Sequence, residues 1–297
     1  MPELVSVEKI WGQAPHNAFT DLIRFRERWW CVFREAEGHD MPGGTVRVLI
    51  SETGAVWESA ATVEEGGIDL RDPKLSVTPD GRLMLVMGGC IYDDDGEYLI
   101  RAPRVSFSED GLVWSAPRRV LSEDHWLWRV TWHDGRAYSL SKLGEGDEPR
   151  RGFLYSSTDG IEWDWIAEFR LDGVSETTLR FLPDGEMVAL VRPGYIGTSS
   201  PPYREWSFCE TADRIGGPNF IRLPDDSLWG SGRLFTADGP RTVLARMTTS
   251  SYEPVLTLPS GGDTSYAGMV WHDDLLWMSY YSSHEDGTNV YLAKVGL

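Results

Sequence analysis

One phrase recurs six times along this chain of 297 residues: an alternating apolar strand, a tight polar turn, and a second strand rich in Trp, Tyr, Met and Val. The copies run from Asp21 to Phe33, Lys74 to Met87, Arg129 to Ser141, Thr178 to Val191, Phe220 to Gly232 and Gly268 to Tyr281. Their turns fall at Glu27, Asp80, Asp134, Asp184, Asp225 and Asp273, a period of about 50 residues. Each unit predicts a small antiparallel sheet that cannot bury both of its faces alone. Six set radially cover one another, so the repeat predicts an all-β fold, a six-bladed β-propeller of four-stranded blades. The 14 Trp suit that arrangement, because large flat side chains fill the wedges between neighbouring sheets.

The repeat runs from end to end with no Pro-, Gly- or Ser-rich linker, so a single domain over residues 1–297 is expected. The last unit, Tyr266 to Val295, supplies only three strands. Leu4 to Ile10 is the expected fourth: it would close the ring with both termini in one sheet and leave no open edge.

A formal net charge of −18 argues against nucleic acid and against anionic membranes as partners. It leaves room for a small anionic substrate, since a few Arg can reverse the potential inside one pocket. Cys31, Cys90 and Cys209 are odd in number and lack metal-like spacing; Cys31 lies in a strand-like run, so a buried reduced thiol is expected there. No His, Cys or carboxylate cluster has metal-ligand spacing, and no cofactor is expected. His133 and His272 recur in Trp-His-Asp turns, where turn chemistry accounts for them. The N-terminus has no basic start and no long apolar run, so no leader is read there; the compartment stays open between cytoplasm and, after a removed leader, periplasm or secretion.

In three units the third strand ends in a second motif. It reads Ser51 to Trp57, Ser108 to Trp114 and Ser157 to Trp163, with spacing Ser-x-Asp-Gly-x-x-Trp. The short acid can bond turn amides, Gly accepts positive φ, and Trp folds back onto the hairpin. Thr53 replaces the acid in the first copy, which predicts a weaker turn. Thr198 to Trp206 reads as a degenerate fourth copy. This turn resembles the Asp-box, or BNR repeat, of the sialidase (neuraminidase) superfamily. The resemblance covers essentially the whole chain. It implies that Asp110 and Asp159 are structural, because in that family the boxes sit on the rim away from the pocket.

In a propeller the innermost strands converge on one axial mouth. Starts of first strands and ends of second strands bring there His16, Asn17, Arg34, Arg71, Asp72, Trp128, Arg129, Glu176, Arg192, Arg233, Asp263, Tyr266 and Glu285. So many ionisable groups at one mouth point to a functional pocket. The sialidase resemblance assigns roles to several. Glu176, sixteen residues before Arg192, is similar to the family's Glu and triad Arg, and Arg233 to its next triad Arg. Tyr266 resembles the nucleophilic Tyr. Glu285 falls where a Glu orients the first triad Arg. Asp72, before Pro73, resembles the second-blade Asp, Arg34 the first-blade Arg, and Asp40 the acid/base Asp. One feature departs: the aromatic-Arg-Ile-Pro phrase that supplies the first triad Arg is replaced by Pro15 to Phe19, with His16 and Asn17 in its place. Arg34 or Arg71 could stand in, and the departure bears on sialic acid itself more than on glycoside chemistry.

The implied chemistry is self-consistent. A phenol is a poor nucleophile until a base takes its proton, the role of Glu176, with Arg192 and Arg233 supplying positive field. Asp40, or His39 beside it, would protonate the leaving oxygen and then activate water, giving retention through a tyrosyl glycoside. The expectation is an exo-acting glycoside hydrolase for a terminal sialic acid or related acidic sugar. Three alternatives stand: a carbohydrate-binding propeller without turnover, a glycosidase for another sugar, and a protein-interaction propeller. Taken singly, Tyr266 also reads as a wedge-filling aromatic, the Glu176–Arg192 couple as a structural ion pair, and Asp40 as a solvated turn residue.

Overall fold

Period-two alternation turns one side of every strand toward a neighbouring sheet, and the apolar residues collect in six separate inter-blade cores. The computed structural model describes residues 1–93, 95–96, 98–144 and 149–297, and its strands form six four-stranded antiparallel blades in a ring. The cores follow the ring. One holds Trp30, Val48 and Leu85 of blades 1 and 2, the next Val105 and Ala137 of blades 2 and 3, another Leu140 and Leu179 of blades 3 and 4. Leu190 with Val243, Leu244 with Met278, and Trp29 with Leu292 continue it through blades 4, 5, 6 and back to 1.

The chain's first strand, Glu3–Trp11, lies antiparallel against its last, Gly287–Gly296, as the three-stranded final unit required. A single parallel bridge, His16 to Thr288, then joins the last blade to the first. In blade 3 the innermost strand is broken into Trp126–Leu127 and Thr131–His133, both on Arg136–Leu143.

The rim turns carry the expected bonds. Asp110 Oδ1 accepts from Leu112 N and Val113 N at 2.8 and 3.0 Å, and Asp159 Oδ1 from Ile161 N and Glu162 N at 2.8 and 2.9 Å. Trp114 folds back to donate to Gly111 O. Gly111, at φ 80°, leaves no room for a Cβ, which would meet Trp30 of the preceding blade at 2.3 Å. In the first copy Thr53 Oγ1 accepts only one bond, from Ala55 N at 3.3 Å. Thr53→Asp is therefore expected to stabilise the fold by about 0.5–1 kcal/mol, read as a raised denaturation midpoint; a lowered midpoint would show that the turn amides are already satisfied. Among the described residues the three Cys are free thiols, and burial pushes Cys31 far above the ordinary thiol range.

Toward the axis, four innermost strands share a distortion. Each has a register shift at the same level, after Ala18, Arg71, Gly216 and Ser265. Each bulge holds a residue at positive φ, Phe19 at 65°, Asp72 at 52°, Gly217 at 56° and Tyr266 at 55°, with Ser265 at 118° beside the last. For the side-chain-bearing residues Phe19, Asp72 and Tyr266 this is strained backbone, about 1–3 kcal/mol each, and such strain concentrates at functional sites. The residue two places on faces its counterparts below: Asp21 accepts from Arg129 at 2.5 Å and from Leu75 N at 2.8 Å, and Asn219 donates to Ala267 O at 2.8 Å. These bonds tie blade to blade beneath the mouth and hold the bulged residues at one level.

Candidate active site

The bulges place Phe19, Asp72 and Tyr266 around a cup of about 510 Å³ whose wall also includes Glu176 and Arg192. Tyr266 packs edge-on to Phe19 and Trp128, with ring centroids 5.3 and 5.7 Å apart. Gly217, the bulged glycine of blade 5, lies against that ring; a Cβ there would stand 2.9 Å from it. The phenol is thus locked from several sides, and its hydroxyl donates to Glu176 Oε1 at 2.7 Å.

Glu176 precedes the first strand of blade 4, and Arg192 follows the second, so the two face each other across the end of one hairpin. Arg192 Nη1 donates to both Glu176 oxygens, at 2.7 and 2.8 Å. Burial works against the Glu176 charge, but the Arg192 ion pair and its hydrogen bonds more than offset it and hold the carboxyl below its usual range. Tyr266 is driven the other way: burial and the Glu176 and Asp72 charges push its hydroxyl well above the phenol range, against Arg192 and Arg233. In the resting site Tyr266 is a neutral donor and Glu176 an ionised acceptor. Attack by the phenol therefore requires its proton to pass to Glu176.

Lys74 lies under the cup, fully buried, donating to Phe19 O and Pro73 O at 3.1 and 3.0 Å, with Nζ 5.5 Å from the Tyr266 ring. Burial lowers its pKa to about 8. Asp72 lines the cup, and burial raises its pKa, against the pull of Lys74 and Arg71.

Other residues singled out in the sequence fall elsewhere. Arg34 is not a cup residue: it is 0% exposed, and its Nε and Nη2 grip Asp69 at 2.9 and 3.1 Å. Glu285 lies outside the mouth, half-exposed, accepting from Tyr291 at 2.9 Å with Lys9 at 3.6 Å; the register shift between Ser282 and Glu285 turns it outward. Asp40 stands on the rim, its carboxylate 90% exposed, 3.7 Å from Arg71. Arg71 does line the cup, donating to His39 O at 2.8 Å. Arg233 stands behind Tyr266, donating to Thr264 O at 3.3 Å with Asp263 Oδ1 at 3.7 Å.

Sequence reasoning missed three basic residues that line the cup: Arg101, Lys142 and Arg150. They come from the third strand of blade 2 and from both sides of the connection between the second and third strands of blade 3, positions that no inner-strand rule reaches. With Arg71 and Arg192 they make five basic side chains among the described lining residues, beside Asp40, Asp72 and Glu176.

Asp263, just before the last blade, binds two imidazoles: Oδ2 lies 3.0 Å from His16 Nε2 and 2.6 Å from His39 Nδ1, while Tyr281 donates to Oδ1 at 2.8 Å. Burial opposes its charge, but the bonds from His16 and His39 overcome this and hold it far below the carboxylate range. These three residues are, among the described ones, a group with ligand atoms within 4.8 Å of one another. They offer a dication a single carboxylate with Arg233 beside it, and Arg71 flanks His39. The Arg233 charge beside Asp263 Oδ1 works against a cation there.

No family model matches the chain, and no curated protein matches it in sequence. Similar solved structures are plentiful. A Dyadobacter fermentans protein of unknown function superposes with a TM-score of 0.89 at 17% identity, covering 100% of this chain and 99% of that one. Trypanosoma rangeli sialidase, solved with the inhibitor DANA, gives 0.74 at 12% identity over 95% of this chain and 55% of its own. A mutant α-L-arabinofuranosidase of Fusarium graminearum, solved with an iminosugar inhibitor, gives 0.71 at 12% over 94% and 93%. These last two neighbours are glycoside hydrolases, and the fold of this chain is the sialidase-like six-bladed propeller.

Proposed function

We propose that this protein is a retaining, exo-acting glycoside hydrolase that uses Tyr266 as nucleophile and takes a terminal acidic sugar, sialic acid or a relative. The observation that carries the reading is the 2.7 Å bond from the Tyr266 hydroxyl to a Glu176 carboxylate that Arg192 keeps ionised. As the phenol oxygen attacks the anomeric carbon its proton moves to Glu176, so no isolated phenolate forms in the buried site. A neutral nucleophile also avoids repulsion with a carboxylate on the sugar. Arg71 and Arg192 in the cup wall offer guanidinium groups to an anionic substrate on a chain of net charge −18.

The replacement at the start of blade 1 supports a relative of sialic acid over sialic acid itself. Asn17 is spent on Ala14 O and Thr288 O, and His16 is buried against Asp263, so neither offers the missing guanidinium. The second reading, a sugar-binding cup without turnover, draws on the upward shift of Tyr266, which makes the phenol costly to deprotonate.

A panel of aryl glycosides of acidic and neutral sugars tests both, with the first-formed anomer followed by NMR. The expected result is hydrolysis of an acidic glycoside with retained configuration. Inversion would remove the tyrosyl intermediate, and saturable binding without hydrolysis across the panel would favour the second reading.

A further inference from the structure

The segment between the second and third strands of blade 1 is held over the cup by its backbone. Arg34, from below, donates Nη1 to Gly38 O at 3.0 Å and His39 O at 3.4 Å, and Nη2 to Met41 O. Arg71 donates to the same His39 carbonyl at 2.8 Å. Two guanidinium groups therefore fix the backbone of His39 without using its side chain. The imidazole is fixed separately. Its Nδ1 lies 2.6 Å from Asp263 Oδ2, and its ring stands edge-on to Phe19 and to His16, with centroids 5.1 and 5.5 Å apart. Position and tilt are set: with Nδ1–H toward the Asp263 carboxylate, Nε2 is the remaining ring nitrogen, and Asp40 Oδ1 stands 3.9 Å from it. The side chain is 42% exposed and lines the cup. Phe19 touches both this ring and that of Tyr266, so the imidazole and the phenol are packed against one aromatic side chain.

Two carboxyl groups compete for the same task. Asp40 is 90% exposed and, among the described residues, makes no hydrogen bond that would aim it. Asp72 is buried in the cup wall, within reach of the charges of Tyr266, Glu176 and His39 alike. A proton donor to the leaving oxygen works on the face opposite the nucleophile.

We propose that His39, oriented by Asp263, is the proton-transfer residue of this cup. The proposal rests on the Tyr266–Glu176 reading. In the first half-reaction the Tyr266 oxygen bonds to the anomeric carbon and its proton goes to Glu176. The bond from that carbon to the leaving oxygen breaks with its electron pair on oxygen, which takes the Nε2 proton of an imidazolium and departs as an alcohol. In the second half-reaction water attacks the same carbon and gives its proton to the now neutral Nε2. The tyrosyl oxygen leaves and recovers its proton from Glu176. Asp263 keeps its negative charge throughout and balances the imidazolium whenever it forms. His16, on the other side of the shared oxygen, is a positioning residue for the carboxylate.

The test compares wild type, His39→Gln and Asp263→Asn on two glycosides of one acidic sugar, a methyl glycoside and an aryl glycoside with an activated leaving group. His39→Gln is expected to lower kcat/KM about 10²- to 10⁴-fold on the methyl glycoside and less than about ten-fold on the aryl one. Asp263→Asn should show the same selectivity, which keeps the proposal open to disproof if the first variant fails to fold. The limb of the pH–rate profile that reports the donor should disappear in His39→Gln, while product binding persists. Equal losses on both substrates overturn the proposal alone. So does leaving-group dependence that follows Asp40→Asn or Asp72→Asn instead, or a wild-type rate abolished by EDTA and restored by zinc. A wild type that cleaves no acidic glycoside overturns the underlying reading and the proposal with it.

Discussion

Tyr266→Phe is expected to cut hydrolysis at least about a thousand-fold and to leave ligand affinity within a few-fold of wild type. The substitution removes one oxygen and nothing that the cup needs for its shape. The ring keeps its edge contacts with Phe19 and Trp128, and the Gly217 backbone still backs it. Glu176 is not orphaned by the loss, because Arg192 continues to bond both of its oxygens and Gly217 N approaches Oε2 at 3.4 Å. An ordinary buried tyrosine hydroxyl would give a change in stability and no change in rate. Steady-state kinetics together with calorimetric titration of product separates the cases. An unchanged kcat/KM would remove Tyr266 from the chemistry, and unchanged binding by a wild type without turnover would make the cup a lectin site.

The residues that sequence reasoning brought together share one property: Glu176 and Arg192 flank the two inner strands of one hairpin and Tyr266 lies near the start of another innermost strand, so all three fall at strand ends that converge on the mouth. The repeat explains closure by Glu3–Trp11, since a unit one strand short must borrow its edge. The bulges at Phe19, Asp72 and Tyr266 were hidden because one extra residue in a strand leaves a pattern of apolar residues nearly intact. Arg101, Lys142 and Arg150 arrive from outer strands and connections, where no repeat sets direction. Asp263 was visible as a mouth residue, but nothing in its surroundings in the sequence pairs it with His16 and His39, more than 200 residues away. Arg34 failed for a related reason. A strand-end Arg at a mouth reads as a ligand for substrate unless its own carboxylate is known, and Asp69 lies one blade further on.

That misplacement has a measurable consequence. Arg34→Leu is expected to destabilise the fold by about 3–5 kcal/mol, because it strands a buried carboxylate. Both partners are 0% exposed. Asp69 Oδ1 would keep Gly44 N at 2.8 Å, and Oδ2 would keep Tyr92 at 3.2 Å with Arg71 at 3.6 Å, but the bidentate guanidinium would be gone. The carbonyls of Gly38 and Met41 would lose their donor in the same step. Arg34→Lys should recover little, since an ammonium lacks the planar fork that bonds both carboxylate oxygens and the loop together. Removing both charges in Arg34→Met with Asp69→Leu should recover much of the stability, as apolar replacements of buried ion pairs do, yet leave the His39 segment without its support. Denaturant midpoints measured beside kcat/KM distinguish this from a substrate-binding Arg34. A binding role predicts a raised KM at nearly constant stability, and a loss under about 1 kcal/mol in Arg34→Leu would restore it.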